Sequence, residues 1–345
     1  MSTKASTAES NFSPRFNIRN LTRRPEMGAL AGTVIVYIFF MIFGGEQFTS
    51  EGGFATWLNT GSELLIIALP VGLLMIAGEF DLSVGSVVAA SSVTTALLGG
   101  AWGLPTPLAV AVALGLGTLA GFLNGLMVTR SNVPSFIVTL AMQFALAGLT
   151  LGTVRLLTGT TSIPITGDEV TTKLFGGLFL DQFEYAIFWA IGASLVVAWI
   201  LHKSKYGNWI FALGGDTQSA RAAGIPVEKT KIALFMATGF AAALVGVIQT
   251  LLYNGAQTGA GQSFVFNSVI AVVIGGVLLT GGYGSILGVV LGTCTFAIVN
   301  QGVYYTGWNS DWAALILGVL LLAAVLMNNT FRRAAMSSGN KSKKK

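Results

Sequence analysis

The sequence contains little cysteine, histidine or charge. Cys294 is its one cysteine and His202 its one histidine among 345 residues. A single cysteine forms no intrachain disulfide, and this pair excludes a zinc cluster and leaves little room for a histidine-based triad. Charged residues make up 10% of the chain, whereas a typical soluble domain has about 25%. The composition therefore excludes an ordinary soluble enzyme.

A nucleotide-hydrolysing loop is also missing. The chain has no Gly-Lys dipeptide, so the phosphate-binding pattern Gly-x-x-x-x-Gly-Lys-Ser/Thr is absent. An intramembrane enzyme would need a nucleophile and a base inside the apolar runs, and candidate bases are missing there. We expect no catalytic residue, metal or cofactor in this chain. Energy for uphill transport would then come from another subunit.

Long apolar runs are what the sequence does contain. Hydrophobic residues make up 53% of the chain, and about 20 such residues cross a bilayer as a helix. Runs such as 195–201 are apolar throughout, rather than alternating as in a transmembrane barrel. We therefore predict an all-α, polytopic membrane protein with about ten spans. The candidate spans are 27–43, 58–77, 83–98, 106–128, 135–151, 185–201, 231–252, 267–279, 285–303 and 312–327.

The third and eighth candidate spans are short, so each could be tilted, broken or re-entrant, and the count lies between eight and ten. An internal similarity at an offset of 203 residues accompanies this pattern. Gly78, Phe80 and Gly85 match Gly281, Tyr283 and Gly288. Three matches of this kind are compatible with two related halves, an arrangement common in transporters.

The basic residues predict the orientation. All of the Lys and Arg residues except Arg155 and Lys173 fall on one side of a ten-span arrangement, which the positive-inside rule assigns to the cytoplasm. Residues 1–26 then form a basic cytoplasmic segment, 27–330 the transmembrane domain and 331–345 a basic cytoplasmic tail. We expect this tail to contact anionic membrane lipid, and we expect no nucleic-acid partner.

The inner connection 203–230 contains a short helix with both ends marked. Asp216 is suited to capping its first turn, while Gly224 and Pro226 stop it. Two turns of helix are not stable alone. The helix therefore docks either on its own protein and lipid headgroups, or on a cytoplasmic partner.

Two carboxylates lie between the second and third spans, in the segment 78–86. Asp81 or Ser83 could cap the third span. Ionisable groups near a membrane are expensive and often functional. The segment is therefore either a structural cap or part of an ion or substrate site.

Several polar residues lie inside the spans. They could form hydrogen bonds between helices, or they could line a polar path. Neutral amides suit a neutral, hydroxyl-rich solute better than an ion, and Glu63 is near the outer end of its span. The residues are Glu63, Asn124, Gln143, Gln249, Asn267, Asn300 and Gln301.

These segments together are similar to one transporter family. Residues 78–86, with Asp81-Leu82-Ser83 followed by Gly85-Ser86, resemble the Gly-x-x-Asp-Leu-Ser-x-Gly-Ser signature of permeases from ribose-, xylose- and galactose-type ATP-binding-cassette (ABC) importers. Residues 133–140, 207–225, 271–276 and 281–285 resemble further blocks of that family in the same order. The departures are Asp216, where the family more often has Asn, and Glu79-Phe80, where Gly-Ile is commoner.

The resemblance implies a bacterial inner-membrane permease that carries a monosaccharide or related polyol. It implies a second permease chain, identical or related, two cytoplasmic ATPase subunits that use ATP and Mg, and a periplasmic sugar-binding protein. By this resemblance the ATPase-coupling residues are Asp216, Thr217, Gln218, Ala220, Arg221 and Gly224. The signature residues are Glu79, Asp81, Ser83, Gly85 and Ser86. The alternative is a stand-alone secondary transporter or facilitator of a small polar solute.

Overall fold

The computed structural model describes residues 25–309 apart from 132, together with 312, 314–319 and 322. The basic tail, most of the N-terminal segment and half of the tenth predicted span lie outside the described residues. The helices are α1 (Pro25–Phe43), α2 (Gly45–Thr49), α3 (Glu51–Ile76), α4 (Val84–Ala96), α5 (Thr106–Ser131), α6 (Ser135–Thr158), α7 (Glu169–Gly176), α8 (Ala186–Lys203), α9 (Lys205–Gly215), α10 (Thr217–Ala222), α11 (Val227–Leu252), α12 (Phe264–Ile274) and α13 (Ile286–Gly302).

Among the described residues, four short strands lie in connections on the predicted outer side. β1 (Ser162–Pro164) pairs antiparallel with β4 (Gly255–Gln257), so that Ile163 faces Ala256. β2 (Leu178–Phe179) pairs with β3 (Phe183–Glu184). The part of the chain that crosses the membrane is therefore helical, as predicted.

Within the described part of the chain, seven helices are long and apolar enough to cross a membrane, and α1 and α12 are shorter apolar helices. The third predicted span is one of the seven, because a π-helical turn extends α4 to Ala101. The eighth is short, since α12 has 11 residues. Four predicted edges differ by four residues or more: α3 begins at Glu51 and α11 at Val227, α6 extends to Thr158, and α12 ends at Ile274.

The core lies where α3, α4 and α11 pack together. Most of α3 from Gly61 to Ile76 is buried, whereas α6 and α8 present exposed apolar faces. Small residues allow close helix packing in membrane proteins. At Gly121 on α5, an added Cβ would lie 2.1 Å from the carbonyl oxygen of Phe235 on α11. A rigid central group of helices therefore positions the polar sites.

Two breaks between helices meet at the predicted cytoplasmic end of this core. The first break joins α3 to α4 through residues 77–83, and the second joins α12 to α13 through residues 275–285. The backbone N–H of Gly282 donates to the carbonyl of Ile76 at 2.8 Å. Gly78 and Gly281, which matched in the internal similarity, lie in direct backbone contact. The structure thus pairs the two segments that the offset of 203 related.

Candidate functional site

The short helix α10 is present on the predicted cytoplasmic surface. Oδ1 of Asp216 accepts a hydrogen bond from the Ser219 backbone N–H at 2.6 Å, which lowers the pKa of this carboxyl group. Gly224 has a φ of +82°, the left-handed conformation that ends helices. Ala220 is buried, whereas Asp216, Gln218 and Arg221 are exposed. The helix is therefore docked by one small residue and presents its polar side chains to solvent.

Connection 203–230 also contains the helix α9, which the sequence analysis did not predict. Ser204 caps the start of α9, and its hydroxyl accepts a hydrogen bond from the Tyr206 backbone N–H at 3.1 Å. Its buried residues are Gly207, Ile210 and Leu213. The sequence does not predict this helix, because glycine disfavours helix interiors and α9 has glycines at 207, 214 and 215.

The end of α9 lies directly on both helix breaks. A Cβ added to Gly214 would lie 1.8 Å from the carbonyl oxygen of Ile76 and 2.3 Å from the backbone nitrogen of Gly282. Such an approach is open to glycine alone among residues. Because no side chain intervenes, a displacement of α9 moves the backbone of both breaks.

A groove of about 380 Å³ lies beside this contact, and Gly78, Glu79, Asp216, Gln218 and Thr280 are among its lining residues. Glu79 forms an ion pair with Lys231 of α11. Their side chains are 12% and 14% exposed respectively. The first break therefore contacts α11 through this ion pair, in addition to its backbone contact with α9.

Asp81 is buried in a polar network and does not cap α4. Its Oδ1 accepts from the backbone N–H and the hydroxyl of Ser83, and its Oδ2 accepts from the Thr238 hydroxyl. The Ser83 hydroxyl accepts from the Asn124 side-chain amide at 2.7 Å, and Ser83 makes no side-chain cap bond. Both capping predictions were therefore wrong. Donors occupy both oxygens of Asp81, so the structure favours a structural role.

The rest of the signature segment forms hydrogen bonds and close backbone contacts with neighbouring elements. The backbone N–H groups of Phe80 and Leu82 donate to hydroxyls at the start of α6, and that of Ser86 donates to Oε1 of Gln143 at 2.8 Å. A Cβ on Gly85 would lie 2.8 Å from the carbonyl oxygen of Gly261. The signature segment thus joins α4, α6 and the connection before α12.

A cavity of about 340 Å³ opens on the predicted outer side. Three predicted path residues, Gln249, Asn267 and Asn300, line it. Asn124 and Gln143 do not line it, because they bond to the signature segment instead. The full lining is Thr60, Glu63, Leu64, Glu184, Gln249, Tyr253, Gly261, Ser263, Phe264, Asn267, Phe296 and Asn300.

Two carboxylates give the cavity its electrostatic character. Oε2 of Glu63 accepts from the Gln249 side-chain amide at 2.8 Å. Oε1 of Glu63 and Oε2 of Glu184 are buried without a hydrogen-bond partner among the described residues. Burial raises the pKa of Glu184 to about 7. Within the same described part of the chain, no group of three or more metal-ligating side chains could hold a metal ion.

Sequence reasoning missed the contribution of Glu184. It lies in an outer connection, and its backbone N–H donates to the Asn59 side chain at 3.1 Å. Glu63 and Glu184 are 121 residues apart in the chain. No local pattern indicates their proximity, which depends on how α3 packs beside the start of α8.

Comparisons with known proteins agree on a transport role. The family model described as "Branched-chain amino acid transport system / permease component" matches residues 53–325. The chain is 34% identical over 300 residues to the probable ABC transporter permease protein y4mJ of Sinorhizobium fredii, covering 87% of this chain and 88% of the relative. It is 33% identical over 268 residues to the ribose import permease protein RbsC of Escherichia coli K12, covering 76% and 81%.

A third relative is the fructose import permease protein FrcC of Rhizobium meliloti. The identity is 29% over 310 residues, covering 88% of this chain and 84% of the relative. No solved structure matches the chain significantly.

Proposed function

Because the chain belongs to the family of permease components of ABC transport systems, we propose that it is the membrane subunit of an importer and carries a monosaccharide across the bacterial inner membrane. The family resemblance drawn from the sequence is thereby confirmed. The chain is a multi-pass membrane protein whose apolar helices cross the bilayer. It acts as a permease and leaves ATP hydrolysis, with Mg, to a separate subunit.

The chemistry of the outer cavity supports a sugar rather than an amino acid. An amino acid carries a carboxylate, which basic side chains or backbone N–H groups would have to neutralise. The cavity is lined by two carboxylates, amides and hydroxyls, and none of its lining residues is Lys or Arg. Hydroxyl groups of a sugar both donate and accept hydrogen bonds, so they suit this lining.

The exposure of α10 is the observation that carries the proposed ATPase partnership. Arg221 and Glu228 form a surface pair at 3.6 Å with side chains 65% and 63% exposed. Pairs this exposed contribute little to stability. The polar face of α10 is therefore available to a groove on a cytoplasmic ATPase subunit.

The mechanism that follows is alternating access. ATP binding closes the ATPase pair and displaces α10, and α9 passes the displacement to both helix breaks through Gly214. The breaks terminate α3 and α12, which line the outer cavity. A sugar delivered by a periplasmic binding protein then passes inward, with a second permease chain completing the complex.

The test is reconstitution into liposomes with the ATPase subunits and the binding protein. We expect Arg221→Glu to lower sugar uptake more than tenfold while ATP hydrolysis continues, because the acidic side chain disturbs the docking surface. Arg130→Glu is the matched control, since Arg130 is exposed at the same side of the membrane on α5. Wild-type uptake by Arg221→Glu would contradict the proposed role of α10.

A stand-alone secondary transporter is the second candidate, because Glu63 and Glu184 share one cavity and such carboxylates can carry protons. Liposomes that contain this chain alone separate the two functions. Uptake driven by a proton gradient, without ATPase or binding protein, would favour the secondary transporter.

A further inference from the structure

The outer cavity contains a buried acceptor with no donor. Glu63 is 7% exposed, and its Oε1 has no hydrogen-bond partner in the described part of the chain although Oε2 has one. Burial of an unpartnered carboxylate oxygen is costly. Glu63 lines the cavity, so a molecule inside it can supply the missing donor.

The groups facing Glu63 across the cavity complement this acceptor. The side-chain amide of Asn267 has no partner within the described residues, and Asn300 accepts one bond from Gln301 at 3.2 Å. The amide nitrogens are donors, whereas the free oxygens of Glu63 and Glu184 are acceptors. A hydroxyl group can satisfy either kind.

The remaining wall is apolar. Leu64, Phe264 and Phe296 are buried and line one part of the cavity. Small-molecule sites combine apolar walls with a few placed polar groups and have volumes of roughly 300–1,000 Å³. The cavity, at about 340 Å³, has the size and the mixed lining of a site for one small solute.

The rim of the cavity lies at the predicted outer end of α11. Tyr253, on its rim, is 67% exposed, so the cavity opens outward. Toward the cytoplasm, Ile66, Ile67 and Leu69 of α3 are fully buried.

We propose that this cavity binds one neutral, polyhydroxylated solute directly, with a hydroxyl donating to Oε1 of Glu63 and the amides of Asn267 and Asn300 contacting neighbouring hydroxyls. The inference rests on the proposed function and adds that the permease chain itself holds the sugar on its outer side. Selectivity then resides partly in this chain rather than entirely in the binding protein.

Equilibrium dialysis of the purified full-length chain tests the site. The probes are radiolabelled D-ribose, D-xylose and D-fructose, without ATPase or binding protein. We expect saturable binding of at least one of them. Glu63→Gln should weaken that binding tenfold or more, because one of the two carboxyl oxygens becomes an NH2 group, which cannot accept a hydrogen bond from a sugar hydroxyl. Asn300→Ala should weaken it about two- to tenfold.

Glu46→Gln is the matched control, because Glu46 is an exposed carboxylate on α2 outside the cavity. It should bind sugar like the wild type. Size-exclusion chromatography and thermal unfolding establish that each variant is folded, and Asn300→Ala provides a second variant if Glu63→Gln is unstable.

Either of two results with sugar would overturn the inference: no saturable binding to the wild-type chain, or unchanged affinity in the folded Glu63→Gln and Asn300→Ala variants. A third result would also overturn it. This is binding of radiolabelled sodium that Glu63→Gln abolishes, in a chain that binds no sugar. Failure of the proposed function is distinguishable, since the assembled wild-type importer would then take up none of the sugars. Normal import with unaltered binding by both variants would refute the inference alone.

Discussion

The contact between Gly214 and the two helix breaks can be tested by adding one methyl group. Gly214→Ala would place a Cβ 1.8 Å from the carbonyl oxygen of Ile76 and 2.3 Å from the backbone nitrogen of Gly282. Both obstacles are backbone atoms, which cannot rotate aside. The end of α9 would have to move by about 1 Å or more, because overpacked groups relieve their overlap by backbone shifts.

Overpacking of this kind typically costs about 1–3 kcal/mol. The expected result is a lower melting temperature and a reduced ratio of sugar transported to ATP hydrolysed, since α9 no longer lies directly on both breaks. The assays are thermal unfolding of the purified chain, and paired measurement of uptake and phosphate release by the reconstituted importer.

The neighbouring glycine provides the control. A Cβ on Gly215 meets no atom within 4 Å. Gly215→Ala should therefore leave transport unchanged and alter stability by less than about 1 kcal/mol, in the favourable direction, because alanine favours a helix. If Gly214→Ala retained both the wild-type melting temperature and the wild-type coupling ratio, the proposed route from α10 to the breaks would be refuted.

Three further predictions concern buried polar groups. Thr238→Val removes one hydrogen-bond donor from Asp81 and should lower the free energy of unfolding by about 1.5–3 kcal/mol, measured by chemical denaturation. An unaltered denaturation midpoint would contradict the proposed role of the Asp81 hydrogen bonds. Lys231→Met leaves Glu79 unpaired and should lower the free energy of unfolding by about 3 kcal/mol. Adding Glu79→Gln to this variant should restore much of the lost stability. Equal stability of the single and double variants would show that the ion pair is unimportant. Burial raises the pKa of Glu184 from 4.5 to about 7. Its contribution to stability is therefore present below pH 4.5 and lost as the pH rises to 7. Melting temperatures across this range should fall less in Glu184→Gln than in the wild type.

The helix α10 could be predicted because its signals are local. The carboxylate of Asp216 lies three residues from the N–H group that it accepts from, and Gly224 supplies the left-handed stop. The neighbouring helix α9 could not be predicted, because its glycines read as breakers. Gly214 is required by the approach of Ile76 from a distant segment, which no local pattern reveals.

The polar residues in the spans divide into two sites, a division that the sequence did not indicate. Asn124 reaches Ser83, 41 residues away, and belongs to the buried network. Gln249 reaches Glu63, 186 residues away, in the outer cavity. Asn124, Gln249 and Glu63 are all polar residues within apolar runs, so composition and spacing predicted one possible path for them.

The sequence by itself determined the membrane class, most of the spans and the likeness to sugar permeases, and it predicts the orientation. Each depends on composition, run length, charge placement or a contiguous motif, and these properties exist before the chain folds. Only the tertiary structure decided that Asp81 is enclosed by donors, that α9 touches both breaks, and that Glu63 and Glu184 share a cavity. Such contacts depend on how closely helices pack that are far apart in the sequence. Small residues such as Gly121 and Gly214 allow this close packing, but the sequence does not show which backbone each of them meets.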